Sequence, residues 1–147
     1  MTDPMEHLEA DANKALHEHI LRTARLGRQR HAPFSSIESV RPLLADRDVV
    51  RYPVEIVFDA TPLEPGEFAC TELIASLPAD GFRLYLHPHF EGHASALPIL
   101  IAYHLPSINY GPIVTADHAE MFGATLLGMD RETYYQRVCA LADSVGS

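Results

Sequence analysis

Leu8, Ala12, Ala15, Leu16, Ile20 and Ala24 recur at helical spacing, so the chain should open on a long amphipathic helix. Asp3-Pro4-Met5-Glu6 supplies its start, with an N-cap carboxylate, a proline at the first helical position and a Glu three residues after the cap. Gly27 is expected to end or fray it. Ser35 with Glu38 forms a second capping box for a short helix toward Leu44, which Pro42 should kink or truncate. The period then changes from helical to alternating. Val50, Tyr52, Val54, Ile56 and Phe58 share one face of a strand over 50–58, and Pro53 argues for an edge position or a bulge. A weaker strand is expected over 68–76, followed by the turn Pro78-Ala79-Asp80-Gly81. A third strand over 82–89 places Phe82, Leu84 and Leu86 on one face, with Arg83, Tyr85, His87 and His89 on the other.

Beyond the strands the apolar positions close up. Leu97, Ile99, Leu100, Ile101, Ala102 and Leu105 make a helix over 96–105 apolar nearly all round, so it should run through the core. Ser95 is its expected cap, Pro98 is tolerated in its first turn, and Pro106 should disrupt it. Thr115 caps a following helix with Ala119, Phe122 and Leu126 inward and Gly128 after it. Asp130 caps a last one bearing Tyr134, Val138, Leu141 and Val145. These elements predict one α+β domain over 1–147, with a small antiparallel or mixed sheet of about three strands packed against helices. N-terminal helices fill 4–46, an α/β region 50–130 and a C-terminal helix 131–145.

Composition narrows the classes. The 47% hydrophobic and 21% charged content is that of a globular chain, and no apolar run reaches the length of a membrane span. The acidic opening residues predict no secretory signal, and hence a cytoplasmic protein. A formal charge of −9 disfavours nucleic acid as a partner. Arg22, Arg25, Arg28 and Arg30 form the strongest local basic patch, read as a solvated helix face. Cys70 and Cys139 lack a CxxC spacing and read as reduced, partly buried thiols.

Nine histidines do change the picture, since protonating all nine would take the formal charge from −9 to 0. His87, His89 and His93 lie close together, and on a strand the first two would share a face able to grip a divalent ion such as zinc. His104 lies in the most apolar helix, where its imidazole must be hydrogen-bonded or bear a depressed pKa. His118 begins the next helix, and packing of the two helices would make His104 and His118 an alternative metal pair. Glu91 and Asp117 are candidate general bases without an evident partner. No nucleophile elbow or phosphate-cradling Gly-rich loop is present.

The run Ala119-Glu120-Met121-Phe122-Gly123-Ala124-Thr125-Leu126-Leu127, after a buried helix carrying Ala102-Tyr103-His104-Leu105-Pro106-Ser107, resembles the zincin-like domain of the ImmA/IrrE family of metallopeptidases. That family carries Ala-His-Glu-x-Gly-His on the buried helix and Glu-x-x-Ala-Asn-x-Phe-Ala-x-x-Leu-Leu on the next. Its two histidines, four apart on one helical face, hold zinc while the Glu activates water. Here Ala102, Ala119, Phe122, Leu126 and Leu127 keep the pattern, and Leu105 stands at its unspecified position. Tyr103, Ser107 and Ala116 stand at the three ligand positions, His104 at that of the catalytic Glu, and Glu120 at that of the Asn. The resemblance thus implies a zincin-like fold over about 50–130 and removes the peptidase activity.

The leading expectation is a bacterial, non-peptidase domain acting through protein contacts, with no cofactor firmly implied. The alternatives are a metal-dependent hydrolase or metal-binding protein using some of His87, His89, His93, His104 and His118, and a small-molecule module with Tyr85, Tyr103 and Tyr110 lining a pocket.

Overall fold

Alternating apolar residues pair as strands at the centre of the fold. The computed structural model describes residues 4–145. In chain order these form α1 (Pro4–His31), α2 (Ile37–Ala45), β1 (Val54–Phe58), β2 (Ala69–Leu73), β3 (Phe82–Leu86), α3 (Leu97–Tyr110), α4 (Ala116–Leu127) and α5 (Arg131–Asp143). The sheet order is β1-β3-β2, with β1 parallel and β2 antiparallel to β3. The architecture is therefore α+β with a three-stranded mixed sheet. Register sets Ile56 opposite Leu84 and Thr71 opposite Leu84 from the other side. Leu84 and Leu86 are fully buried, as their alternation predicts. Pro53 precedes the edge strand β1, where its missing N–H costs no ladder bond, and its carbonyl accepts from Phe82 N–H at 2.8 Å.

The apolar helix α3 packs most extensively against α4, and α4 in turn against α1 and α5. Leu100, Ile101, Leu105 and Ile108 of α3 join Ile20, Leu43, Val49, Phe90, Phe122 and Leu126 in the main core. A satellite cluster of Ile99, Ala124, Tyr134 and Val138 seats α5. Tyr134 is fully buried and its hydroxyl donates to Ile99 O at 2.9 Å. No helix is long and apolar enough to cross a membrane among the described residues.

Several boundaries differ from the sequence expectations. Asp3, the expected first N-cap, lies outside the described residues. Gly27 does not end α1, which continues to His31. A Cβ at Gly27 would come within 2.9 Å of Leu126 Cδ1 and 3.0 Å of Leu43 Cδ1, so this glycine serves close packing. The first half of the α1 stripe is uncovered, with Leu8 67% exposed, and burial begins at Ile20. Ser36 rather than Ser35 is the cap of α2, and Ser39 Oγ replaces the expected Glu38 by accepting from Ser36 N–H at 3.1 Å. Pro42 forfeits one helical bond without truncating α2, because buried Leu43 and Leu44 hold its last turn. Strands β1 and β2 are shorter than expected, Val50 being core before the strand begins.

Likewise, α3 starts after a 3-10 turn (Ala94–Ala96), with Ala96 rather than Ser95 as its cap, and it passes through Pro106 to Tyr110. Its last turn is anchored by Asn109, whose Nδ2 donates to Val49 O at 2.7 Å while its Oδ1 accepts from Arg51 N–H at 2.9 Å. Those bonds tie down the turn that follows the helical bond Pro106 removes. Thr115 and Asp130 cap α4 and α5 as their sequence positions predict, and Gly128 ends α4 in the left-handed region at φ 68°.

Candidate functional site

The two helices that the sequence singles out lie side by side, and their polar residues meet α5 along one strip. Tyr103 of α3 is half-buried, with its ring edge-on to Phe68 at 6.2 Å and to His104 at 5.6 Å between centroids. Glu120 of α4 is near enough to act electrostatically on it. Burial first, and then the Glu120 and Cys139 charges, push the Tyr103 phenol above its ordinary value of 10.0. Tyr103 is therefore a neutral hydrogen-bond donor and a poor phenolate ligand. Glu120 Oε1 lies 3.6 Å from Arg131 Nη2, which also donates to Asp117 Oδ1 at 2.7 Å. Ser107 and Ala116, at the other two positions of interest, are exposed. This strip can donate hydrogen bonds and carries a partly neutralised carboxylate.

His104 sits beneath the strip. The residue as a whole is partly accessible, yet its Nε2 is covered and has no hydrogen-bond partner among the described residues. Its ring packs edge-on to Phe68 at 5.6 Å. Desolvation with no opposing charge pushes the imidazole down from 6.5 to about 4. Between those values the unfolded chain binds a proton that the folded chain refuses. Stability from this group is therefore complete above pH 6.5 and falls as pH drops, by about 2 kcal/mol at pH 5 and about 3 kcal/mol by pH 4. Urea unfolding across this range should show that loss, and His104→Phe should flatten it. An equally steep profile in the variant would assign the loss to other groups. Asp46 titrates in a separate window: the His31 hydrogen bond is the main cause holding it below 3.8, so its contribution is lost only at lower pH.

The remaining histidines are placed by local structure. β3 ends at Leu86, not at 89, because Pro88 opens a 3-10 turn (Pro88–Gly92). His87 and His89 therefore do not share a strand face as expected. His87 instead caps the turn, its Nδ1 accepting from His89 N–H at 3.1 Å. His93 Nδ1 lies 2.8 Å from His89 O, a bond it makes as donor, which leaves Nε2 without a hydrogen bond among the described residues. The His89 and His93 rings lie 4.8 Å apart on the surface. His118 closes the capping box of α4, its Nδ1 accepting from Thr115 N–H at 3.0 Å. His104 thus packs on Phe68, while His118 bonds Thr115. No three His, Cys, Asp or Glu side chains converge on a point that could hold a metal ion among the described residues. Of the three tyrosines considered for a pocket, Tyr110 borders one with Arg51 and Phe82, and its hydroxyl bonds His19 at 2.6 Å.

Two features escaped the reading of the sequence. Asn109 was legible in principle as a lone amide among apolar helix positions. An Arg-flanked cleft built from five separate segments was not. No protein-family model, curated protein or solved structure matches this chain.

Proposed function

We propose that this chain is a non-peptidase relative of the ImmA/IrrE-type zincins that acts through contacts with another protein. The observation that carries the reading is the α3–α4 pair. Its packing positions Ala102, Leu105, Ala119, Phe122 and Leu126 are all buried, while Tyr103, Ser107 and Ala116 stand where that family holds its metal. A phenol raised above its ordinary value, a hydroxyl and a methyl group make no donor set for zinc. Support for the contact role comes from β2, one of the two outer strands of the sheet. Leu73, Ile74 and Leu77, at and just beyond its end, are 44%, 37% and 62% exposed. An edge strand next to exposed apolar side chains is a natural protein-binding feature.

The wild-type protein, purified without chelators, is expected to retain far less than one zinc per chain and to cleave no member of a mixed peptide library. The relocated-histidine alternative draws on the Nε2 of His93 beside His89. Stoichiometric zinc by elemental analysis, lost in the His87→Ala/His89→Ala double variant, would overturn the non-metal reading in favour of that alternative.

A further inference from the structure

A cleft of about 400 Å³ opens where the end of α1 and the segment before α2 meet the start of α3, the end of α4 and the outer face of α5. Its volume is that of a small-molecule site. Phe34, Pro98, Ile99, Leu127 and Met129 make its walls apolar. Four polar residues, Arg28, Arg137, Ser35 and Ser95, complete the lining. None of these four side chains makes a hydrogen bond or ion pair among the described residues. Nearby basic groups are committed, Arg30 to Asp46 and Asp48 and Arg131 to Asp117.

Arg28 also lies against the C-cap of α4. Its guanidinium packs over Gly128, where a Cβ would overlap it, and the φ of 68° there favours glycine in any case. The cleft continues past Ser95, Ile99 and Arg137 into a second hollow bordered by Ala140 and Leu141. An apolar ligand body therefore has room to extend. In a chain of formal charge −9, two unneutralised guanidiniums bordering one apolar cleft are a local inversion of charge.

We propose that this cleft binds a small organic acid, its carboxylate held by Arg28 and Arg137 with the serine hydroxyls and its apolar body against Ile99 and Leu127. Guanidinium–carboxylate recognition supplies orientation, and the walls supply area. The inference does not depend on the zincin-like reading, since none of its polar residues belongs to the α3–α4 strip.

The test is an amide chemical-shift titration of the full chain with hexanoate and 3-phenylpropionate, beside hexanamide and inorganic phosphate. The acids should shift the Phe34, Ser95 and Met129 amides saturably, and less so as salt rises. Hexanamide and phosphate should each bind at least about tenfold more weakly, for want of charge and of apolar area respectively. Arg137→Gln, at an exposed position, should weaken acid binding about tenfold with an unchanged circular dichroism spectrum, and Arg28→Gln should do likewise. The proposal is overturned if the acids give no saturable shift up to on the order of 10 mM. It is equally overturned if Arg137→Gln binds them as wild type does, or if phosphate binds as well as the acids.

Discussion

Gly123→Ala is expected to destabilise the protein by about 3 kcal/mol, where the same change on an exposed helix would stabilise by about 1 kcal/mol. The sign reverses because α5 lays the ring of Tyr134 directly on the α4 backbone at Gly123. A Cβ there would overlap Tyr134 Cζ, its hydroxyl oxygen and Cε1. The ring cannot swing away cheaply. Tyr134 is fully buried and its hydroxyl is tied to Ile99 O of α3 at 2.9 Å. Making room would stretch or break that bond and unseat Val138 and Ala124, two other members of the satellite cluster. Urea denaturation of Gly123→Ala, Tyr134→Ala and the double variant measures this directly. The double variant should lose clearly less than the sum of the singles, because the overlap vanishes with the ring. Additive losses, or a stabilised Gly123→Ala, would show that the three-helix contact is not tight.

That contact explains why so much of the helix order was legible while its consequences were not. Capping residues Thr115 and Asp130 announce α4 and α5 locally, and alternation announces Leu84 and Leu86 as core. Gly123 and Tyr134 carry no local mark of their meeting, since only the packing of α5 on α4 brings them together. Pro88 was a visible stop signal for β3, yet alternating histidines mimicked the strand continuing past it. Pro106 misled in the opposite sense. It marked an end to α3 that buried Asn109, bonded to Val49 and Arg51, prevents. The cleft between Arg28 and Arg137 had no sequence signature because five separate segments build it.

The reading of the candidate strip rests on side chains having changed while the helix pair that carries them remains. If so, ligands can be put back. Tyr103 and Ser107 are one turn apart on α3, and Ala116 opens α4, the helix that places Glu120 beside Tyr103. The triple variant Tyr103→His, Ser107→His, Ala116→Glu would install two imidazoles and a carboxylate, a sufficient protein donor set for zinc with water in the fourth position. His104 stays unchanged, so the experiment concerns metal binding alone. Zinc held with a Kd below about 1 μM corresponds to about 8 kcal/mol of binding free energy, and it should raise the apparent thermal stability of the variant through linkage.

Calorimetric zinc titration of this triple variant beside wild type is the most direct measurement of the account. One zinc per chain below about 1 μM in the variant, with no comparable uptake by wild type, is the result it predicts. A triple variant with native circular dichroism that binds zinc no better than wild type would contradict it, because the α3–α4 pair would then lack the geometry of a zincin site.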